Sequence, residues 1–290
     1  MFLSALKNFC LAASFAIALL PGGAAATDTV TGKTNHLMAI GICPPWKSVD
    51  TGACDRSVGA MTTALTARLG IQQSNVTSLV NAAATNAGLQ AAFAELGALG
   101  PNDRLIIYAN LHSGAIDPAA EAGPDNDVFV LWTQDRPAAV PFAIAEGDWI
   151  MASDFAGWVH ALAAGEVILI LDACESGAVS PLFIHAHPQN DEDRPEAVIV
   201  SASADQFANF TADQSIALFT QQLAQTIADG RGTLAQAADL AASQTHAAAL
   251  PICALQTAAM LAAGIDPLSC QQQPVTHDPD ALLSQITLQN

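Results

Sequence analysis

The feature that most limits how this chain can fold is an uninterrupted aliphatic run from Val167 to Leu171, which leads directly into Asp172 and Cys174. A short, β-branched run of this kind is typical of a central strand in a parallel sheet, where both faces are buried. Ligands of such sheets bind beyond the carboxyl ends of the strands. The run therefore predicts a central strand with Cys174 at its functional end, although a cysteine can also serve as a small core residue.

The first 26 residues have the pattern of a secretory signal peptide. Lys7 supplies the positive start, residues 9–20 supply the apolar run, and Ala24 to Ala26 supply a small-residue cleavage site. The apolar run is too short for a membrane span, although a retained anchor is the alternative interpretation. We predict an exported product, periplasmic or secreted, with no membrane span.

The length of the chain suggests how it divides into domains, and its net charge excludes some classes of binding partner. We divide the mature chain into a main domain, residues 27–250, and a C-terminal extension packed on it, residues 251–290. The net charge is −18 and only nine residues are basic. This balance argues against nucleic acid and anionic membranes as partners. It does not fix an oligomeric state.

Strand-like and helix-like segments alternate along the chain, which predicts a mostly parallel α/β sandwich. The predicted strands are residues 36–42, 76–80, 105–108, 128–132, 167–171 and 197–200, with a late edge strand near 283–288. The predicted helices are about 56–69, 86–98 (capped by Thr85), 153–163, Asp213 to Gly230, and Thr233 to about 248.

The cysteines fall into two local pairs and one remainder. An exported protein meets oxidising conditions, so cysteines pair where geometry allows. We predict disulfides between Cys43 and Cys54, which flank a short loop, and between Cys253 and Cys270, which flank a helix and turn. Cys174 is then the odd thiol and a candidate nucleophile, unless a different pairing includes it.

A histidine loop follows another predicted strand. Strand 105–108 runs into His112, Ser113 and Gly114. In one parallel sheet this loop and the Cys174 loop would open at the same edge. An imidazole beside a thiol favours the thiolate and can protonate a leaving group, and backbone N–H groups near Gly114 and at Cys174 could hold an oxyanion. His112 alone would otherwise be a polar strand-end residue.

The segment Ile170-Leu-Asp172-Ala-Cys174-Glu-Ser176-Gly177 resembles the nucleophile motif of caspase-like cysteine peptidases, especially metacaspases and other bacterial members, and in part that of legumain. The strand and loop from Arg104 to Gly114 are similar to the His-Gly segment of these families, and the order of histidine before cysteine is also theirs. The resemblance covers about residues 36–250. It implies a caspase-like (flavodoxin-like) three-layer sandwich, with Cys174 as nucleophile, His112 as general base and an oxyanion hole at Ser113, Gly114 and Cys174.

The same resemblance implies a substrate pocket. Asp172 matches the acid that metacaspases direct at a basic P1 side chain, and the segment with Ser201, Ser203 and Asp205 looks like the pocket loop after the nucleophile. The family pattern is not complete: Ser113 separates the histidine from the glycine, Glu175 replaces a histidine, and a second pocket acid aligns with Ser57. A basic P1 residue is favoured, while Asn or Asp stays open.

No metal ligand is predicted from the residues. His185, His187 and the acidic residues 191–193 fit a solvated loop better than a metal site, and calcium is a candidate cofactor only through the metacaspase resemblance. The leading hypothesis is an exported cysteine endopeptidase acting on a peptide or protein substrate. The alternatives are a non-catalytic caspase-fold protein that binds peptides or partners, and a different thiol-dependent transferase or hydrolase on a flavodoxin-like sheet.

Overall fold

The protein is described from a computed structural model, which covers residues 32–45, 52–117, 126–132, 148–184 and 194–289. The predicted signal peptide lies outside the described residues. A six-stranded central sheet is formed by β1 (Thr34–Gly41), β2 (Val76–Val80), β3 (Asp103–Asn110), β7 (Glu166–Asp172), β8 (Glu196–Val200) and β9 (Val275–His277). The strand order is β2-β1-β3-β7-β8-β9, and only β9 is antiparallel to its neighbour.

Helices cover both faces of this sheet, which confirms the predicted three-layer α/β sandwich. One hydrophobic core lies under α2 (Asn86–Leu96) and α3 (Ala152–His160). The other lies under α1 (Gly52–Leu69), α5 (Leu218–Ala228), the first turns of α6 (Leu234–Ala262) and α7 (Leu282–Gln285). All seven residues of β7 are buried, as its aliphatic run predicts.

A second, smaller antiparallel sheet lies beyond the end of β3. It contains β4 (Ser113–Ala115), β5 (Asp127–Val130) and β6 (Trp149–Met151), in the order β4-β5-β6. The predicted strand near 128–132 belongs to this sheet. The short helix α4 (Ser176–Val179) follows β7 after a three-residue turn.

Two predicted helix starts are confirmed by their caps and one is wrong. Thr85 accepts a hydrogen bond from Gly88, and Thr233 forms a reciprocal capping box with Gln236. Asp213 does not start a helix. Its carboxylate accepts bonds from Thr211 and Ser215 inside a loop, and α5 begins only at Leu218.

The C-terminal region differs from the sequence prediction in two ways. Helix α6 continues through Pro251 to Ala262, past the residue chosen as the domain boundary. The edge strand is β9 at Val275–His277, whereas residues 283–288, predicted as a strand, contain most of α7. Helix α6 is long and apolar enough to span a membrane by length and composition, and in this fold it packs against α5 and α7.

Candidate active site

The register between β3 and β7 sets the two chemically important loops side by side. Asn110 pairs with Asp172, and the Leu111 amide donates to the Asp172 carbonyl oxygen at 3.1 Å. His112 and Cys174 each lie two residues beyond that pair. Because the strands are parallel and adjacent, both loops leave the carboxyl edge of the sheet together.

Both residues line one cavity of about 270 Å³ at this edge. Asp172 lines it as well. The remaining lining residues are Ile42, Cys54, Asn110, Leu111, Ala208, Asn209, Phe210 and Ala217. The structure therefore brings together the predicted nucleophile, base and pocket acid, which are drawn from loops that are distant in sequence.

The cysteine remains a thiol because the other described cysteines are used elsewhere. The disulfides Cys43–Cys54 and Cys253–Cys270 are both present, as predicted, and Cys174 takes part in neither. It is partly exposed, and its Sγ lies 4.0 Å from the Ala208 carbonyl oxygen on the far wall of the cavity.

A sharp turn carries Cys174 from the strand into α4. Glu175 has φ 55°, a left-handed conformation that a residue other than glycine adopts only at some cost. Its amide donates to the Gln206 carbonyl oxygen at 2.7 Å. Burial, and then the charges of Asp127 and Asp205, raise the pKa of Glu175 above its usual range. The turn is thus held by the loop after β8.

The serine that follows His112 joins the two loops directly. The Ser113 Oγ donates a hydrogen bond to the carbonyl oxygen of Cys174. This bond spans 61 positions of sequence and ends on the nucleophile itself. The residue that departs from the family pattern therefore has a defined contact, one that glycine could not make.

The small sheet engages the amide of Gly114 and leaves that of Ser113 outside its ladder; neither residue is among those that line the cavity. The Val130 amide donates to the His112 carbonyl at 2.8 Å, and the Ile116 amide donates to Asn126 at 2.8 Å. Hydrogen-bonded pairs alternate along an antiparallel ladder, so the intervening bonded pair is Gly114 with Val128. Ser113 then lies in a non-bonded pair, and its N–H points away from β5.

Asp172 is a buried carboxylate whose two oxygens differ. Its Oδ2 accepts bonds from the Thr220 amide at 3.1 Å and the Thr220 hydroxyl at 2.6 Å. Its Oδ1 is buried and accepts no hydrogen bond of normal geometry from the described residues. Burial raises the pKa of Asp172, and the hydroxyls of Thr220 and Ser201 together with the Thr220 amide oppose that rise.

A hydroxyl network lies behind Asp172. The Tyr108 hydroxyl is 2.5 Å from Thr220 Oγ1, and burial followed by the charge of Asp172 raises the pKa of Tyr108 well above its usual value. Ser57, which aligns with the second pocket acid of metacaspases, donates to the Ala53 carbonyl at 2.9 Å and accepts from the Ala217 amide at 3.1 Å. Ser57 thus anchors a residue of the cavity wall.

The other predicted pocket residues are not among those that line the cavity. Ser201 is buried, and its Oγ accepts from the Ala173 amide at 3.1 Å, which braces the turn beside the nucleophile. Ser203 donates to the Gln273 carbonyl at 3.1 Å. Asp205 is exposed.

The wall opposite the nucleophile consists of residues that the sequence interpretation missed. Ala208, Asn209 and Phe210 come from an irregular loop after β8. This loop carries no motif or periodicity, so no sequence signal distinguished it. Cys54 was found as a disulfide partner, but not as a residue of the cavity.

A metal site is not apparent in the described part of the chain. No group of three His, Cys, Asp or Glu residues there is arranged to hold a metal ion. The loop with His185, His187 and residues 191–193 lies outside the described residues.

Comparisons with known proteins give structural similarity alone. No protein-family model matches the chain, and no curated protein matches it. A crystal structure of a protein from Geobacter sulfurreducens aligns over 88% of this chain and 99% of its own, with 16% identity and a TM-score of 0.52. A crystal structure of caspase-1 from Spodoptera frugiperda aligns over 89% of this chain and 92% of its own, with 10% identity and a TM-score of 0.48.

Proposed function

We propose that the protein is an exported cysteine endopeptidase of the caspase-like type, with Cys174 as nucleophile and His112 as general base. One observation carries the proposal: two adjacent parallel strands place a thiol and an imidazole at equivalent positions around one cavity. The motif around Cys174, which resembles that of metacaspases, supports the same assignment. The two disulfides are compatible with an oxidising, exported environment.

The proposed reaction has two steps. His112 takes the thiol proton, the sulfur of Cys174 attacks the peptide carbonyl carbon, and the leaving amine receives that proton from His112 as the C–N bond breaks. A thioester remains on Cys174. Water then attacks the thioester, with His112 accepting its proton, and the product acid leaves as the thiol re-forms.

The oxyanion would be held by backbone amides. Among the amides predicted for this role, those of Ser113 and Cys174 fit best, because the amide of Gly114 is engaged in the β4–β5 ladder. The hydrogen bond from Ser113 Oγ to the Cys174 carbonyl fixes the distance between the two loops. In this proposal the Ser113 side chain holds the two loops together, and the Ser113 amide donates to the oxyanion formed between them.

Asp172 supports a preference for a basic P1 residue. It lines the cavity, and among the described residues none of the ion pairs includes it. A Lys or Arg side chain entering the cavity would give the buried carboxylate the opposite charge that the fold does not supply. Charge-assisted hydrogen bonds of this kind are the strong ones in proteins.

A fluorogenic peptide library with varied P1 residue tests the proposal. We expect cleavage after Lys or Arg by the wild-type protein, and a loss on the order of 10³-fold or more in Cys174→Ala and His112→Gln. Arms with and without calcium decide whether that ion is required. Folding of both variants is checked by circular dichroism.

Binding of the same peptides to Cys174→Ala separates the alternatives. Peptides that bind this variant but are cut by no form of the protein would favour a non-catalytic peptide-binding protein. Cleavage that persists in Cys174→Ala would exclude the thiol mechanism.

A further inference from the structure

The wall of the cavity opposite Cys174 is held from outside the main sheet. Residues 206–210 form a loop with no strand or helix of its own, and three of them, Ala208, Asn209 and Phe210, line the cavity. A loop of this kind takes its shape from the groups that satisfy its backbone. Two of its backbone amides, those of Phe207 and Asn209, donate to the C-terminal hairpin, which we define as residues 253–273. Its other backbone bonds go to Ser203, Glu175 and Leu218.

Four hydrogen bonds connect the hairpin to the loop. The Phe207 amide donates to the Ser269 carbonyl at 2.6 Å, and the Gln273 amide donates to the Gln206 side-chain oxygen at 2.6 Å. Asn209 makes the other two. Its amide donates to Gln272 Oε1 at 2.8 Å, and its side-chain nitrogen donates to the Cys270 carbonyl at 2.9 Å.

The disulfide Cys253–Cys270 lies at the base of these contacts. It joins α6 to the 3₁₀ helix Pro267–Cys270, and Phe207 packs against both cysteines and Met260. Gln272 is fully buried and has φ 35°, a left-handed conformation, two residues after Cys270. The disulfide therefore holds residues 269–272 in place, and the oxygens of this segment accept the hydrogen bonds from the loop.

The loop in turn contacts the nucleophile turn. The Gln206 carbonyl accepts the Glu175 amide at 2.7 Å, and the Ala208 carbonyl lies 4.0 Å from the Cys174 sulfur. A continuous set of contacts thus runs from the disulfide through Gln272 and Asn209 to the cavity wall.

We propose that the hairpin closed by Cys253–Cys270 is the positioning element for the substrate-pocket wall, so that productive substrate binding depends on this disulfide. The effect on substrate rests on the proposed peptidase function. The effect on the loop does not. Gln272 is the positioning residue that connects the two.

Hydrogen exchange of the full-length protein tests the structural part without any need for activity. In Cys253→Ser/Cys270→Ser, the Phe207 and Asn209 amides should exchange at least about tenfold faster, while amides of β1 and β3 keep their wild-type protection. Unchanged exchange at Phe207 and Asn209 would overturn the proposal.

Gln272 variants guard against a double variant that fails to fold. Gln272→Ala keeps both disulfides and should speed exchange of the Asn209 amide, which loses its acceptor, more than that of the Phe207 amide. Gln272→Glu keeps an acceptor oxygen and should restore the protection. Equal effects of Ala and Glu at this position would contradict the role given to the side-chain oxygen.

Kinetics test the functional part. Removal of the disulfide should raise KM for the best peptide about tenfold, a loss of about 1.4 kcal/mol in binding, with a smaller change in kcat. Faster loop exchange with an unchanged KM would overturn the link to substrate. If wild-type protein cleaves no peptide, the peptidase proposal fails while the exchange result still decides the hairpin.

Discussion

The two ends of strand β7 carry the same chemistry in opposite circumstances. At the amino end, Glu166 lies 2.6 Å from the guanidinium of Arg104, which is fully buried, and 3.8 Å from Lys33. At the carboxyl end, Asp172 is equally buried, yet among the described residues it has no cationic partner. The fold supplies a cation for Glu166 and, within the described residues, none for Asp172.

The same contrast extends across the whole sheet. Beside Glu166, the amino edge holds the pairs Arg194–Glu196 at 2.7 Å and His36–Asp103 at 3.2 Å. The carboxyl edge holds a thiol, an imidazole and an acid around a cavity. The charges at the amino edge therefore compensate one another, whereas the acid at the carboxyl edge is not compensated by a cation of the described residues. Four predictions test this division.

The largest expected effect comes from breaking the amino-end pair. Glu166→Ala leaves the buried Arg104 without its closest carboxylate and should lower the free energy of unfolding by about 3–5 kcal/mol. Urea denaturation of the full-length protein measures this loss. The matched control is Arg104→Met/Glu166→Leu, which removes both charges and should recover most of the stability. A double variant as unstable as Glu166→Ala would show that the loss comes from packing.

Asp172→Asn should lower peptide cleavage and not the free energy of unfolding. The amide keeps an oxygen for the Thr220 bonds, so the fold should tolerate the change, while kcat/KM for Lys or Arg at P1 should fall on the order of 100-fold. An equal fall for P1 Ala would contradict a role in recognition of the charge.

The pH dependence of stability gives Asp172→Asn a second readout. Burial raises the folded-state pKa of Asp172, so the folded state retains the proton at a pH where the unfolded state has lost it. Stability should therefore fall as pH rises from the unfolded pKa near 3.9 through the folded pKa. Urea denaturation at several pH values should show less of this fall in the Asn variant.

Ser113→Ala tests the hydrogen bond that joins the His112 loop to the Cys174 loop at the carboxyl edge. It removes the hydrogen bond from Oγ to the Cys174 carbonyl, worth about 1 kcal/mol, and should lower kcat about fivefold with little change in KM. Ser113→Thr keeps the hydroxyl on a strand position and should retain most of the rate. If Thr is as slow as Ala, the hydroxyl is not what positions the loops.

The smallest effect is expected from His160 at the amino edge. Burial disfavours its charged form, but the hydrogen bonds to Glu196 and to the Leu182 carbonyl oxygen, together with the charge of Glu196, outweigh burial and raise the pKa of His160. The stabilisation should be complete below the unfolded pKa near 6.5 and should be lost as pH rises through the folded pKa. His160→Gln should flatten unfolding free energies over this window. Any peptide cleavage by the folded protein should not change, since His160 is not among the residues that line the cavity.

Much of the fold could be predicted because its signals are local. Each of these signals lies within a short stretch of sequence: the aliphatic run of β7, the Thr85 and Thr233 caps, and the two short-range disulfides. The predicted helix end near residue 248 failed because Pro251 normally ends a helix, whereas α6 continues past it and is joined through Cys253 to Cys270.

The sequence by itself determined the candidate residues of the site: an odd cysteine and a histidine, each after a buried strand. Only the tertiary structure decided that they share a cavity, because the pairing of β3 with β7 depends on backbone hydrogen bonds between segments 62 positions apart. The tertiary structure also decided that Asn209 and Phe210 form a wall of this cavity. Their loop has no periodic sequence pattern, and Asn209 is hydrogen-bonded to the C-terminal hairpin. Local patterns record which face of an element is buried, but not which neighbour buries it.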